Sequence, residues 1–522
     1  MTAWQWLLIG SALATTTASA APNPTMRHRT PAKAAHITAP VAEDTASEQI
    51  ARVRAGSLTP EALLALYAAQ IHRHDPNLHA ILGLNRQAES EAASASLAAP
   101  LYGLPILIKD NIDTRDFLPT TAGSLALAAN LAGRDAVVVD RLRSGGAVVL
   151  GKTNLSEWAN FRSDHASSGW SAVGGLTLNP WDTTRSACGS SAGSAVAVAA
   201  GFAGAAIGTE TDGSITCPAA TNGIVGLKPT VGLVSRTGIV PISPAQDTAG
   251  PMTRDVRDAA LLLSVMAGSD PADPATHDAD RHRTDYTQVL QSNGLRGARI
   301  GVLRFASGTD PAVHALFDRT LATLRAQGAI LIDIPAFDRK NLDALEMAAM
   351  LSEFRDSVNA YLAHTPPRVK TRTLADLVVF NRDHAEQEMP WFQQELFERA
   401  LVAPPRSDAH YLDARNQARQ IAGPGGIDAL LHRDNLEALI APTIGPAWSN
   451  DLVNGDRPGD GTGAGSLAAI AGYPHLTVPM GQVKGLPIGL SFIGTAWSEG
   501  TLLRLGYAFE QARGKWHAPP GF

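Results

Sequence analysis

Charged residues, aromatic residues and cysteines are all scarce in this chain of 522 residues, of which 18% are charged and 6% aromatic. Lys and Arg number 43 against 49 Asp and Glu, so the net charge is -6. This balance excludes a strongly basic nucleic-acid-binding surface, and a hydrophobic content of 45% excludes a disordered chain. After the N-terminus, no segment has the ~18 consecutive apolar residues of a membrane span. We therefore expect a globular protein without a nucleic-acid or membrane partner.

The N-terminus has the pattern of an export signal. A short apolar stretch precedes Ala18-Ser19-Ala20, which is an A-x-A cleavage pattern. Because no Lys or Arg precedes the apolar stretch, a misassigned start is the alternative. We predict a signal peptide over residues 1–20, an exposed leader over residues 21–44, and a periplasmic or secreted protein.

Cys188 and Cys217 are the two cysteines of the chain, far fewer than a disulfide scaffold needs. In an oxidising compartment they could pair. Two small buried thiols are an equally acceptable alternative, so the sequence leaves the pairing open.

Short apolar runs alternate with helical patterns between residues 100 and 260. Residues 104–108 and 147–150 lack polar alternation, which is typical of strands buried on both faces. The strand pattern returns at residues 476–479 and 486–493, after a more polar and helical section over residues 270–460. We predict an α/β fold with helices on both faces of a sheet, in which the 270–460 section shapes access to a site.

The segment Gly189-Ser-Ser-Ala-Gly193 matches G-x-S-x-G, the nucleophile elbow of α/β-hydrolases. An elbow requires a buried strand just before the serine, whereas residues 182–186 are polar and turn-like. An esterase using Ser191 with His475 or His517 is therefore disfavoured. A periplasmic solute-binding protein without catalysis is a further alternative.

A second serine lies in the small-residue loop Gly208-Thr-Glu-Thr-Asp-Gly-Ser-Ile215. Small residues allow consecutive backbone amides to turn inward, as an oxyanion hole requires. A lysine at the end of an apolar run has its charged form disfavoured and can act as a base. Both Lys109 and Lys152 have this context, and the local pattern does not distinguish them.

Several motifs together resemble those of the amidase signature hydrolases, over residues 46–512. The motifs that carry the resemblance are Gly103-Leu-Pro-Ile-Leu-Ile-Lys-Asp-Asn111, Gly151-Lys-Thr-Asn154, Cys188-Gly-Ser-Ser-Ala-Gly-Ser194, Gly213-Ser-Ile215, Gly226-Leu-Lys-Pro-Thr230, Gly250-Pro-Met252 and Gly485-Leu-Pro-Ile-Gly489. The resemblance implies one domain over residues 45–522, built on a large mixed β-sheet covered by helices on both faces.

The resemblance also implies a Ser-Ser-Lys triad that forms an acyl-enzyme, with Lys109 as base, Ser190 as relay and Ser214 as nucleophile. The Gly189–Ser190 peptide bond is then expected to be cis, and Lys152 to be a structural helper that hydrogen-bonds near the relay. The implied oxyanion hole consists of the backbone amides of Thr211, Asp212, Gly213 and Ser214. No cofactor, metal or protein partner is implied.

Within this family, the sequence is similar to the bacterial peptide amidases. Glu210-Thr-Asp-Gly213 replaces the commoner Asp-Thr-Gly-Gly, and Thr216-Cys217-Pro218 replaces a segment that contains Arg. The similarity implies that a small or short peptide amide is the substrate and that ammonia is released from a C-terminal peptide amide. Aryl amides, aliphatic amides and lactams are the alternative substrates.

Other polar and aromatic groups have less specific interpretations. Trp158, Phe161 and Trp170 either line the substrate cleft or belong to the core. Two groups have the residue types of metal ligands but lie in polar, loop-like surroundings, so we expect solvated loops there. These groups are His277, Asp278, Asp280 and His282, and His72, His74 and His79.

Overall fold

An eleven-stranded β-sheet runs through the protein in a computed structural model that describes residues 44–459 and 461–522. The described residues contain thirteen strands in all, and β4 and β5 form a separate small sheet. The strands are β1 (Ile81–Leu84), β2 (Pro105–Lys109), β3 (Val148–Thr153), β4 (Trp170–Ser171), β5 (Gly175–Leu176), β6 (Ala205–Glu210), β7 (Val225–Lys228), β8 (Thr248–Thr253), β9 (Arg299–Leu303), β10 (Ile330–Ile334), β11 (Ala438–Pro442), β12 (His475–Val483) and β13 (Leu486–Ile493).

The helices of the described residues surround this sheet, and short 3₁₀ turns connect some of them. They are α1 (Ala46–Arg54), α2 (Pro60–His74), α3 (Ala88–Ser94), α4 (Val137–Ser144), α5 (Ala192–Ala199), α6 (Thr216–Thr221), α7 (Val256–Met266), α8 (Ala279–His282), α9 (Pro311–Ala326), α10 (Leu342–Ala363), α11 (Leu374–Asp383), α12 (Ala385–Glu388), α13 (Glu395–Val402), α14 (Ala409–Ala422), α15 (Ala429–Arg433), α16 (Gly465–Ala471) and α17 (Glu499–Arg513). Helix α2 begins where the sequence predicts, since Thr59 caps it and Pro60 is its first residue.

The sheet is mixed, as expected. Its strand order is β1-β3-β2-β6-β8-β7-β12-β13-β11-β9-β10. Strands β3, β2 and β6 run parallel near one edge, and β11, β9 and β10 run parallel at the other. The strands between β6 and β11 pair in antiparallel fashion. The α/β class and the large mixed sheet are thus both confirmed.

Each face of the sheet carries its own hydrophobic core. Along β2, the side chains of Ile106 and Ile108 join one core, and that of Leu107 joins the other. Strand β3 alternates in the same way, with Val149 in the first core and Val148 and Leu150 in the second. Successive strand residues point to opposite faces, so apolar residues at every position indicate a strand covered on both sides.

The 270–460 section is more varied than the sequence suggests. Helices fill most of residues 342–433, as expected from its polar, helical pattern. However, the section also contributes β9, β10 and β11, which extend the main sheet at one edge. Strand β10 is the last strand at that edge, and Ile330 and Asp333 are exposed there while Ile334 is buried.

The predicted signal peptide lies outside the described residues, and Asp44 is the one residue of the predicted leader that the structure describes. Among the described helices, none combines the length and the apolar composition needed to cross a membrane. The domain boundary at residue 45 stays a prediction.

Candidate active site

The ends of two adjacent parallel strands bring Lys109 close to the Ser214 loop. Strand β2 ends at Lys109, β6 ends at Glu210, and Ile108 pairs with Ile207 between them. Because the strands are parallel, the residues that follow their carboxyl ends meet at one edge. Residues 211–215 then connect β6 to α6 and carry Ser214.

Ser190 lies against Lys109, as the sequence predicts. The Lys109 Nζ atom is 2.8 Å from the Ser190 Oγ atom, and both residues are fully buried. The Gly189–Ser190 peptide bond is cis, also as predicted. The Ser190 carbonyl accepts a hydrogen bond of 3.0 Å from the Ser156 amide, and the Ser191 amide donates to the Ser214 carbonyl over 3.1 Å. These contacts join the segments that carry Lys109, Ser190 and Ser214.

The surroundings of Lys109 suit a neutral amine. Its Nζ atom lies 2.8 Å from the Thr209 hydroxyl and 3.2 Å from the Thr209 carbonyl, besides its contact with Ser190. A neutral amine donates two hydrogen bonds and has one lone pair. The two Thr209 oxygens can accept both donors, which leaves the lone pair for the Ser190 hydroxyl. Asn111 donates to the same Thr209 hydroxyl over 2.9 Å and helps to fix it.

Burial sets the protonation state of this lysine. Desolvation lowers the pKa of Lys109 well below its usual value, because an ammonium ion loses its hydration in the interior. The carboxylates of Glu210 and Asp247 act in the opposite direction, since negative charges favour the protonated form. Desolvation is the larger of these effects, so the site can hold the lysine as a base.

The loop of residues 211–214 presents unpaired amide groups. Within the part of the chain that the structure describes, the N–H groups of residues 212–214 have no hydrogen-bond acceptor. Gly213 has a φ of 77°, a backbone conformation that glycine adopts readily. Such a turn can aim successive N–H groups at one oxygen atom. The arrangement is chemically suited to hold a developing oxyanion.

Glu210 fixes the far side of this loop. One of its carboxylate oxygens accepts hydrogen bonds from the amides of Ile215, at 2.7 Å, and Thr216, at 2.9 Å. These amides begin α6, where backbone N–H groups lack partners within the helix. The acid that replaces the commoner Asp of the family motif therefore anchors the residues that follow Ser214.

Two residues that the sequence analysis missed hold Thr211. The Thr211 hydroxyl donates to the Asp247 carboxylate over 2.6 Å, and the Gln246 side chain donates to the Thr211 carbonyl over 3.3 Å. Asp247 also accepts from the amides of Ile242 and Ser243. Desolvation raises the pKa of Asp247 to about 6. The sequence signal that could have pointed to Asp247 is its position just before the Gly250-Pro-Met252 motif.

The Asp212 side chain points into neighbouring structure. It hydrogen-bonds with Ser466 and lies beside Glu346 on α10. Burial raises the pKa of Asp212 to about 6, and burial together with the adjacent Asp212 carboxyl raises the pKa of Glu346 well above its usual value. Through this pair, the 270–460 section touches the loop that carries Ser214.

Lys152 and Ser191 occupy structural positions. Lys152 binds the Ile112 carbonyl at 2.7 Å, the Thr120 hydroxyl at 3.0 Å and the Asp110 carboxylate at 3.4 Å. These partners belong to the loop that follows β2, so the Lys152 side chain fastens that loop rather than the relay, contrary to the expected hydrogen bond near Ser190. The Ser191 hydroxyl donates to the Thr209 carbonyl and accepts from the Thr209 amide.

The histidines of the esterase alternative lie elsewhere. His475 bonds to the Ser491 hydroxyl over 2.7 Å, and burial lowers its pKa to about 3. His517 lies in the exposed C-terminal segment. Neither histidine is a partner of Ser191, whose hydroxyl is held by the backbone.

Cys188 and Cys217 form a disulfide with Cα atoms 6.1 Å apart. The sequence left this pairing open. The bond connects the residue two positions before Ser190 with the residue three positions after Ser214.

The three aromatic residues considered for the cleft are buried. Trp158 packs edge-on against Phe397, and Phe161 against Phe354, in one hydrophobic core beneath α10 and α13. Trp170 packs against Phe392. These contacts place their rings mainly in the core.

The turn that carries Trp158 has a conformation that the sequence does not signal. Residues 158, 159 and 160 have φ values of 48°, 53° and 70°, which L-amino acids adopt rarely. Ala159 lines a small cavity together with Asn111, Thr209 and Thr211. Left-handed backbone at non-glycine residues is concentrated at functional sites, and here it lies beside the partners of Lys109.

Three of the residues that resembled metal ligands have protein partners. Asp278 pairs with Arg281 and Asp280 with Arg283, while His282 stacks on Trp497. Among residues 44–459 and 461–522, no group of three potential ligands is suitably arranged for a metal ion.

Comparisons with known proteins define the class. The Amidase family model matches residues 62–503. The solved structure of native peptide amidase from Stenotrophomonas maltophilia superposes with a TM-score of 0.87 and 48% identity, over 92% of this chain and 99% of that chain. The crystal structure of an amidase family protein from Bacillus anthracis superposes with a TM-score of 0.83 and 35% identity, over 92% of this chain and 93% of that chain. A probable amidase from Arabidopsis thaliana is 39% identical over 87% of each chain.

The chain therefore belongs to the amidase family. It is a hydrolase of amide bonds, as the motifs predicted.

The environment of Lys109 predicts how activity depends on pH. If Lys109 acts as the base, the rate should fall on acidification, because a protonated lysine cannot accept a proton, and should reach a plateau at higher pH. Lys109→Arg is expected to lose at least about a hundredfold in kcat, since a guanidinium does not release its proton. Steady-state kinetics over a pH series measures both effects. A fully active arginine variant, or a rate that rises on acidification, would show that Lys109 is not the base.

Proposed function

We propose that this amidase hydrolyses the C-terminal carboxamides of peptides and releases ammonia, with Ser214, Ser190 and Lys109 as its triad. The observation that carries the chemistry is the 2.8 Å contact between Lys109 Nζ and Ser190 Oγ, beside a loop of unpaired amides. The substrate is supported by the 48% identity to a peptide amidase over nearly all of that chain.

The proposed reaction proceeds through an acyl-enzyme. Ser214 Oγ attacks the carboxamide carbon while its proton passes to Ser190 and the Ser190 proton to Lys109. The amides of residues 211–214 stabilise the oxyanion of the tetrahedral intermediate. The relay then returns a proton to the nitrogen, the C–N bond breaks, and ammonia leaves. Water attacks the resulting ester by the same proton path, releasing the peptide acid and restoring Ser214.

The burial of the relay supports a small leaving group. The leaving nitrogen takes its proton from Ser190, so it must approach that hydroxyl. Both Ser190 and Lys109 are fully buried, whereas a continuing peptide chain would need an open path past them. Ammonia needs no such path. This geometry favours a terminal carboxamide over an internal peptide bond.

Adjacent serines provide a matched test of the proposed roles. Ser214→Ala and Ser190→Ala are each expected to lower kcat by at least about a thousandfold, because each removes a group that transfers a proton or forms a bond. Ser191→Ala should stay within about tenfold, since its hydroxyl contacts only the Thr209 backbone. Ammonia release measures turnover, and melting temperatures check folding. A folded Ser191 variant that is the most impaired of the three would contradict the assignment.

A panel of amides tests the substrate class. We expect mass spectrometry to show a one-dalton gain in C-terminally amidated peptides, while internal peptide bonds and the side chains of Asn and Gln stay intact. Aryl amides, aliphatic amides, lactams and free glutamine serve as competitors. The matching free-acid peptide is the control and should not change. Turnover of aryl amides or lactams with amidated peptides untouched would contradict the peptide-amide proposal but preserve the amidase chemistry.

We further propose that the protein is exported after cleavage behind Ala20. The A-x-A pattern supports this proposal, and the Cys188–Cys217 disulfide is compatible with an oxidising compartment. Expressed at full length in a Gram-negative host, the protein is expected in the periplasmic fraction with Ala21 as its first residue, measured by intact mass. An Ala18→Arg/Ala20→Arg variant should remain uncleaved. A wild-type protein that keeps residues 1–20 in the cytoplasm would contradict export.

A further inference from the structure

The segment that carries Ser190 and the segment that carries Ser214 are fastened together at three points. At one end, the Ala187 carbonyl accepts hydrogen bonds from Thr221, at 3.0 Å, and Asn222, at 2.8 Å. At the other end, the Ser191 amide donates to the Ser214 carbonyl over 3.1 Å. The Cys188–Cys217 disulfide lies between these hydrogen bonds and is the covalent link.

We propose that the Cys188–Cys217 disulfide is a positioning device that sets the geometry of Ser190 relative to Ser214 and makes turnover sensitive to reduction. This inference rests on the proposed triad. The disulfide itself takes no part in bond making or proton transfer. Its two sulfur atoms act through the backbone of the segments that they join.

The backbone around Cys188 explains why a covalent link has an effect here. Cys188 has a φ of 55°, a left-handed conformation that disfavours side chains with a Cβ atom. The amide hydrogen bonds of the two cysteines themselves are local, from the Cys188 amide to the Ser186 hydroxyl and from the Cys217 amide to the Gly213 carbonyl. The disulfide is therefore the direct connection between Cys188 and α6. Without the disulfide, the backbone at residue 188 can relax, and the shift passes to Ser190, two residues further along the chain.

A small displacement of this kind acts on the rate more than on binding. The proton must pass between Ser214 and Ser190 in the transition state, and such transfers depend steeply on the distance between the two oxygen atoms. Cys188 is buried, and among the described residues its amide hydrogen bond goes to Ser186 rather than to the proposed oxyanion loop, so we expect substrate affinity to change less than the rate. Cys217 is only half-buried, which gives a reducing agent access to the disulfide.

Reduction of the folded enzyme tests the proposal. A water-soluble phosphine transfers two electrons to the S–S bond and becomes the phosphine oxide, while water supplies the oxygen and the two thiol protons. We expect kcat to fall by about tenfold or more as two thiols per chain appear, with KM changing less than about twofold. Reoxidation should restore kcat. Thiol titration, circular dichroism and the melting temperature are followed in the same samples.

A double variant provides the matched control. Cys188→Ser/Cys217→Ser should have a low kcat like that of the reduced enzyme and should not respond to the phosphine. If that variant does not fold, the reduced wild-type protein alone decides. Full activity after both thiols have appeared would overturn the proposal. A loss of kcat that occurs only together with unfolding would also overturn it, because the disulfide would then be merely structural.

A second readout separates this inference from the substrate proposal. A fluorophosphonate labels an activated serine whatever amide the enzyme prefers, and peptide mapping locates the label. We expect reduction to slow labelling of Ser214 by the same factor as kcat. An unchanged labelling rate would overturn the positioning role, whereas labelling of another serine would overturn the proposed triad instead.

Discussion

The chemistry open to this site depends on the desolvation of the Lys109 amine. Lys109 ends a strand whose neighbours on both faces are apolar cores, so its ammonium form has lost its hydration and its pKa lies well below the usual value. Thr209 accepts hydrogen bonds from the Lys109 amine, and Asn111 fixes the Thr209 hydroxyl. The lone pair of the amine can therefore face Ser190. Apolar packing on both faces of the sheet is what excludes water from Lys109. The two-sided sheet therefore supports the role proposed for this lysine as a base.

Carboxyl groups on several elements hold the loop of residues 211–214. Glu210 accepts the first amides of α6, Asp247 holds the Thr211 hydroxyl, and the Asp212 side chain turns away toward Glu346. Each acid is placed to restrain the backbone of the loop. Because amide groups fixed before a reaction need no reorganisation during it, these restraints support the oxyanion role proposed for the loop. The restraints on the loop come from β6, from the turn that precedes β8 and from α10.

The sequence predicted the sheet and the strand at 104–108 because apolar runs encode them locally, whereas the contact of Lys109 with Ser190 was implied by the resemblance of whole motifs to a family. The local pattern did not choose between Lys109 and Lys152, since both follow apolar runs, Lys109 as the last residue of β2 and Lys152 as the last but one of β3. The choice depends on register: Lys109 points toward Ser190, whereas Lys152 contacts the loop after β2. Asp247 and the left-handed turn at 158–160 were missed for a related reason. Their roles arise from tertiary contacts that no local pattern records.

The glycines around Ser190 follow from how closely this segment is packed. A Cβ atom on Gly189 would lie 2.2 Å from the Ser156 hydroxyl, and one on Gly193 would lie 2.4 Å from the Ala80 carbonyl. Neither position can accept a side chain without moving the segment that carries Ser190. The same segment is held by the Ser156 amide and by the disulfide. The glycines that resemble a nucleophile elbow in sequence therefore serve close packing, which places Ser190, rather than Ser191, against the buried lysine.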